Sequence, residues 1–399
     1  MLARQKMHKK NFIIIFILWS LFFVAFIMLV VKTVPYIFLH NDFYDYWIGA
    51  KLLRSGLSPY GTGAYFLEIK NNFHLNFHIA TGYSYPPFTA WIMYPLSFIE
   101  PHVAAWIWMI FSLIQYVLLC WQFIGKYRNK WIYFFLLTFS PILYSIASGQ
   151  INIFILTCLW IWFKKPKSWI GSLCFALVCI IKVYPVLLLL LFILKKEWKM
   201  ISQILFFIFI FVLMPILSYG PKETIFYFTH VLPNLQNQTN SYFTYQSFIS
   251  VITRYFGAGN QLMLRSINNV FCTTVLFLLI TYSLTIKKSL HYLSSLWIVG
   301  LSLLPGTTTF WNFTPMIFGI FLIWDNWKKQ TLIVRCLFIG AVTISNFTWH
   351  STFLFFLYKD VLNKDFYVAL TSTGFLFGVI LFILLLFSTE KREKNSHLT

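Results

Sequence analysis

Acidic residues are scarce in this sequence. Among 399 residues there are 11 Asp and Glu against 31 Lys and Arg, giving a formal net charge of +20, and only 11% of the chain is charged. A soluble domain carries about a quarter charged residues, so an ordinary soluble enzyme is excluded. There is no P-loop, no GxGxxG turn and no GxSxG elbow. The sequence signatures of nucleotide hydrolysis, dinucleotide binding and α/β-hydrolase chemistry are therefore missing. The six cysteines, Cys120, Cys158, Cys174, Cys179, Cys272 and Cys336, lie in or beside apolar runs without metal-ligand spacing and read as buried small residues. Internal repeats and low-complexity linkers are also absent.

What is present is apolar. Hydrophobic residues make up 59% of the chain, 46 residues are Phe, and the mean hydropathy is +0.72. Long apolar runs recur from end to end, which predicts an all-α polytopic membrane protein forming a single integral membrane domain over 1–399. Predicted spans fall near 11–31, 102–124, 131–148, 151–163, 201–219, 267–286, 291–305, 313–327, 331–349 and 366–388. Short basic stretches flank them: "GKYRNK", "KKPKS", "KKEWK", "IKKSLH", "WKKQ" and the tail "EKREKNSHLT". The positive-inside rule places all of these in the cytoplasm, so the surplus charge calls for membrane lipid rather than nucleic acid. The N-terminal apolar run lacks a small-residue cleavage site and reads as an uncleaved first span, with both termini cytoplasmic.

Residues 169–194 test that topology. One crossing would leave "KKPKS" and "KKEWK" on opposite sides, and two full crossings would need roughly forty residues. The run contains "KVYP", with Lys182 and Pro185 near its middle. Proline breaks a helix, and a lysine at depth needs a partner or water. A short hairpin turning at "KVYP" is expected, and counting it as two passes gives about 12 transmembrane passes. The stretches 32–101, 220–266, 305–312 and 350–365 then face outward. Within the first of these, 85–101 is suited to lie along the membrane surface.

Two of the outward acids sit together just past the first span, in "NDFYDYWIGAKLLRSGLSPYG". Asp42 and Asp45 fall about one turn apart on a helix and share a face. Partial burial beside aromatics would raise a carboxylate toward general-base range; alternatively, one caps the helix and the other is solvated. Other polar outliers converge on the same membrane face: Gln150 and Asn152 in "SGQIN", and Gln246 and Ser247 ahead of Arg254, whose fork of donors suits a phosphate. His74 and His78, spaced i, i+4, read as a solvated pair rather than a metal site.

In order along the chain, "DFYDYWIGAKLLRSGLSPY", "YSYPPF", "SGQIN", "KVYP" and "YQSF…R" resemble the motif series of the PimE-like polyprenyl-phosphate-mannose-dependent alpha-1,2-mannosyltransferases of the glycosyltransferase C superfamily. The resemblance spans roughly 41–315. It implies a glycosyltransferase C-type bundle with a long first outward loop. It also implies an integral membrane hexosyltransferase with its active site on the outer face. The implied donor is a polyprenyl-phosphate sugar, mannose by analogy, and the acceptor a glycan or glycolipid of the envelope. The family's aspartate falls on Asp42, which makes it the expected base, with Asp45 in reserve. Gly56, Pro59 and Tyr60 complete that motif as structural residues, and Tyr85 to Pro87 border the site. The sequence departs from the family at Asn312, where a histidine is expected; Asn donates and accepts but carries no proton at neutral pH. Inverting single displacement follows, with Arg254 as the favoured phosphate contact and Arg54 and Lys51 behind it. Tyr85, Gln150, Asn152, Lys182, Gln246 and Asn312 are the remaining substrate-binding candidates. No metal or cofactor is expected. The rival readings are a flippase for lipid-linked sugars, which favours paired halves and broken midplane helices, and a polysaccharide ligase or polymerase.

Overall fold

The structure is a computed structural model that describes residues 42–73, 83–127, 139–236, 245–343 and 371–388. The expected first span 11–31, His74 and His78, residues 131–138, 237–244 and 344–370, and the basic tail lie outside them. The chain divides into two compact units, Met1–Asp42 and Phe43–Thr399. Of the first unit only Asp42, in a turn, is described; the geometry below is that of the second.

Among the described residues this unit is helical, with one isolated antiparallel bridge between Tyr245 and Thr309. In chain order the helices are α1 (Phe43–Arg54), α2 (Thr62–Phe73), α3 (Pro87–Met93), α4 (Pro101–Tyr127), α5 (Ser140–Ala147), α6 (Asn152–Lys164), α7 (Trp169–Ile181), α8 (Leu188–Leu194), α9 (Trp198–Tyr219), α10 (Lys222–Phe226), α11 (Leu232–Gln236), α12 (Phe248–Phe256), α13 (Gln261–Thr285), α14 (Leu290–Leu301), α15 (Ile317–Asp325), α16 (Leu332–Thr343) and α17 (Thr373–Phe387). Tight 3-10 turns cover Tyr94–Phe98, Tyr184–Leu187 and Phe310–Met316.

Three helices are long and apolar enough to cross a membrane: Pro101–Phe123 within α4, then α9 and α13. They match the predicted spans at 102–124, 201–219 and 267–286. Each turns large apolar side chains outward, among them Trp106 and Ile110 on α4, Phe206 and Phe209 on α9, and Val270 and Phe277 on α13, the surface a lipid-facing helix presents. About 12 passes were expected; α6, α7, α14, α16 and α17 are apolar but only 10–17 residues long. At 1.5 Å per residue, a 13-residue helix reaches about 20 Å, short of the ~30 Å hydrocarbon core.

The hairpin expected at 169–194 is present. Ser168 caps α7 by accepting from the Gly171 amide at 3.0 Å, and α7 ends where Lys182 turns extended (φ −127°, ψ 103°) ahead of Pro185. The chain then returns through the 184–187 turn and α8. Lys167 and Glu197, just before α7 and α9, form an ion pair at 3.0 Å, and Ser172 on α7 donates to Gln203 on α9 at 2.9 Å. So α7 and α9 start at the same level, run parallel and pack directly on each other, with α8 running back between them in the chain. Phe175 against Phe192, with ring centroids 5.6 Å apart, packs the two arms together.

The basic clusters gather at one end of the unit. Lys164 donates to Gln122 near the foot of α4 at 2.6 Å. Lys195 reaches the Ser283 carbonyl at 2.8 Å, and Lys288 reaches the Ser388 carbonyl at 3.3 Å. With the Lys167–Glu197 pair, these contacts bring Lys164, Lys167, Lys195 and Lys288 to one end of the unit, the segregation expected if one end faces one side of a membrane. The core lies between these helices, filled by buried aromatics such as Phe123, Trp162, Phe175, Phe192 and Trp297.

Candidate active site

α1 carries the aromatic half of the site. Its sequence sets Asp45 in the first turn and Lys51 and Arg54 in the last, which complements the helix dipole. It stops at Gly56, whose φ of +69° supplies the left-handed residue of a helix C-terminus, while the Leu57 amide reaches back to the Leu52 carbonyl at 2.9 Å. Gly49 lets the Tyr83 ring lie against the helix: a Cβ there would meet Tyr83 at 2.6 Å. Asp42 is the residue before α1 and closes the preceding unit.

The Asp45 carboxylate accepts a hydrogen bond from Tyr65 on α2. Burial raises its pKa to about 6, against the lowering effect of the Tyr65 bond. Burial also holds Tyr83 well above the ordinary tyrosine value, with the charges of Tyr85, Tyr227 and Asp45 adding to it, so that phenol stays protonated. Next to Asp45, the Tyr46 hydroxyl donates to Gln150 at 3.0 Å and lies 3.1 Å from the Tyr85 hydroxyl. Tyr85 in turn lies 3.4 Å from the same Gln150 oxygen. Tyr60, from the "SPY" of the first loop, holds the Tyr85 carbonyl at 2.8 Å.

The amide half comes from broken helices. α5 ends in the turn "SGQIN", where Gly149 adopts φ +66° and its carbonyl is held by Trp108 of α4 at 2.8 Å. That turn buries Gln150 and Asn152. Asn152 donates to the Trp311 carbonyl at 3.0 Å and lies 3.5 Å from the Asn312 side-chain oxygen. Lys182, on the hairpin tip, donates to that same Asn312 oxygen. Asn152 stands 12 residues from Lys164, so the amides lie about 18 Å from the basic end.

Five of the sequence-derived candidates therefore fall into two contact groups, Tyr85 with Gln150 and Asn152 and Lys182 with Asn312, linked along the chain by the turn from Gln150 to Asn152. Four others do not join them. Arg254 is buried, with one terminal nitrogen donating to the Tyr245 carbonyl at 2.8 Å and the other to Ser372 Oγ at 3.1 Å. Gln246 bridges the Thr371 carbonyl at 2.6 Å and the Phe375 amide at 3.1 Å. Together they brace the start of α17 against the loop before α12. Lys51 pairs with Glu68 at 2.6 Å. Arg54 donates to the Ser97 carbonyl at 2.5 Å and lies 4.5 Å from the Phe98 ring centroid. Sequence reasoning missed Tyr46, Tyr65 and the Trp311 carbonyl. The two tyrosines were visible only as members of an aromatic-rich stretch, and a backbone carbonyl leaves no residue signal. Among the described residues no group of three or more His, Cys, Asp or Glu is placed to hold a metal ion.

A bundle with outward-facing apolar helices, broken helices and buried tyrosine–amide contacts in its interior defines an integral membrane protein. Residues 83–304, more than half of the chain, match the family model of glycosyltransferase family 87, and the chain belongs to that family. It is a membrane glycosyltransferase. No curated relative and no solved structure matches it.

Proposed function

We propose that this glycosyltransferase moves a hexose, mannose by its motif resemblance, from a polyprenyl-phosphate sugar to a glycan or glycolipid acceptor on the outer side of the membrane. The acceptor hydroxyl attacks the anomeric carbon in one inverting displacement. Its proton passes to Asp42, with Asp45 as the reserve base. The anomeric carbon–oxygen bond breaks and its electron pair leaves on the polyprenyl phosphate. No metal is required where the leaving group is already a phosphate ester.

The observation that carries this reading is that Tyr85, Gln150, Asn152 and Lys182, all inside the family-matched segment, engage in two buried polar groups, Tyr85 and Gln150 with Tyr46 of α1 and Asn152 and Lys182 with Asn312, which the short turn from Gln150 to Asn152 links along the chain. A tyrosine–amide lining offers donors and acceptors to sugar hydroxyls. A carboxylate partly withdrawn from water is a competent base near neutral pH. Broken helices within a membrane bundle are tolerated where they are buried or line a cavity, which suits a lipid-borne donor.

The test is transfer from a polyprenyl-phosphate sugar by purified protein in proteoliposomes. Asp42→Asn is expected to lose at least a hundredfold in rate, in line with the loss of a general base, and Asp45→Asn is measured beside it. A wild-type rate from Asp42→Asn with a large loss from Asp45→Asn would transfer the role to Asp45. Wild-type rates from both variants would remove an aspartate base from this loop.

A further inference from the structure

Tyr60 holds the Tyr85 carbonyl from a loop, residues 55–61, that lies between α1 and α2 and is not itself helical. What fixes that loop comes from far along the chain. Glu223 on α10 accepts a hydrogen bond from Ser58 at 2.6 Å, across 165 positions. The Ser58 oxygen in turn accepts from the Tyr60 amide at 3.3 Å, and Tyr60 donates to the Tyr85 carbonyl at 2.8 Å. The Tyr85 hydroxyl lies 3.4 Å from the Gln150 oxygen and 3.1 Å from the Tyr46 hydroxyl. A series of hydrogen bonds therefore runs from Glu223 to the tyrosine–amide contacts.

Aromatic packing repeats the connection. Tyr227, four residues after Glu223, opens the π-helical turn Tyr227–Val231. It is buried, with its ring centroid 5.9 Å from that of Tyr60, and Phe226 lies 6.0 Å from the same ring. Tyr60 also meets Tyr83 at 5.7 Å. Glu223 and Tyr227 are one helical turn apart and share a face, and both touch the first loop. Turns of the π type are rare and recur at functional sites. Burial, followed by the charges of Tyr83, Tyr227 and Glu223, holds Tyr60 far above the ordinary tyrosine value. Its phenol therefore stays protonated and remains a donor to Tyr85. Glu223 is half-buried, and a carboxylate makes a shorter, stronger hydrogen bond than a neutral acceptor, which suits a contact that holds a loop in one place. Misplacing a substrate-positioning group by about 1 Å costs about a hundredfold in rate.

We infer that Glu223 is a positioning residue of this glycosyltransferase: acting through Ser58 and Tyr60, it sets Tyr85 against Gln150 for the hexose of the donor. This deepens the proposed function and rests on its reading of the Tyr85–Gln150 contacts as sugar-binding. It also joins the motif loop, which precedes the family-matched segment, to a helix inside that segment.

Binding of polyprenyl-phosphate mannose and of polyprenyl phosphate to detergent-purified protein, followed by tryptophan fluorescence, tests it. Glu223→Ala should weaken the sugar-bearing lipid at least tenfold and leave polyprenyl phosphate within about twofold, a difference that a general loss of stability would not produce. Glu223→Gln, which keeps a side-chain oxygen for Ser58, should stay within about threefold of wild type for both. Tyr60→Phe should reproduce the tenfold loss, and adding Glu223→Ala to it should cost less than about twofold more, because the path to Tyr85 is already cut. The inference is overturned if Glu223→Ala weakens both lipids alike or neither, or if its full effect returns in the Tyr60→Phe background. Should Glu223→Ala not fold, Ser58→Ala takes its place, with the same loss expected and unchanged affinity overturning the inference. A wild type that binds polyprenyl-phosphate mannose no better than polyprenyl phosphate overturns the sugar-binding reading and the inference with it, a failure distinct from that of Glu223 alone.

Discussion

Lys167 and Glu197, thirty positions apart, close the mouth of a re-entrant hairpin with an ion pair of 3.0 Å. Because both lie at the basic end, the 26-residue run between the two lysine clusters starts and finishes at the same end of the unit.

That arrangement predicts a labelling pattern. In a cysteine-free background, single cysteines at positions 167 and 197 should react with an impermeant thiol reagent from the same side of sealed vesicles. A cysteine at 183 should react from neither side at a comparable rate. Labelling of 167 and 197 from opposite faces would mean that the segment crosses.

Asp45 makes stability depend on pH. Its pKa in the fold is raised to about 6 by burial, against an unfolded value of 3.8. Between those values the folded state holds a proton that the unfolded chain has released. The contribution is therefore present below about pH 4 and is lost as pH rises to about 6. Asp45→Asn should raise the melting temperature at pH 7 and change it little at pH 3.5. Thermal unfolding in detergent at the two pH values measures this, and an equal shift at both would contradict it.

Tyr65 lowers the Asp45 pKa through its hydrogen bond, so Tyr65→Phe should move that titration upward. If Asp45 serves as the base, the acid limb of the kcat/KM profile should start near pH 6 and shift to higher pH in Tyr65→Phe. If Asp42 serves, the limb should stay in place in this variant.

Two glycines bear on the site through geometry alone. At Gly49, an added Cβ meets the Tyr83 ring at 2.6 Å; Gly49→Ala should cost about 1–3 kcal/mol, the usual range for overpacking. At Gly149, φ is +66°; Gly149→Ala should cost about 1–2 kcal/mol, the penalty for a left-handed L-residue. It should also displace Gln150, so its loss of transfer activity should exceed that of a surface variant of equal stability. Melting temperatures and steady-state rates measured side by side separate the two effects.

Arg254 offers a contrast with Lys182. Its two terminal nitrogens hold Tyr245 and Ser372. Arg254→Lys, which cannot reproduce a two-armed fork, should lower the melting temperature while changing KM for the lipid donor less than about twofold. A large rise in that KM with an unchanged melting temperature would restore the guanidinium as a donor contact.

Much of this was legible in the sequence. Hydropathy located the three long spans within a few residues. Lys182 and Pro185 inside an apolar run announced the hairpin, because a proline and a charge cannot both be tolerated in a straight helix at depth. Gln150 and Asn152 stood out as polar residues between apolar runs. Arg254 and Gln246 carried the same signal, a buried polar group, yet serve to brace a loop. A sequence shows that such a group needs partners but not whether those partners are protein or substrate. Tyr46 and Tyr65 gave no signal of their own within a chain that is 21% aromatic.

The sequence by itself determined that this protein is a helical membrane protein with its basic loops segregated, because hydrophobic length and charge act locally and need no knowledge of neighbours. It also fixed the places where helices must break. Only the tertiary structure decided that Lys182 meets Asn312, 130 positions away, and that Tyr46 meets Gln150, 104 positions away. Those pairings depend on how broken helices from distant parts of the chain pack their ends together.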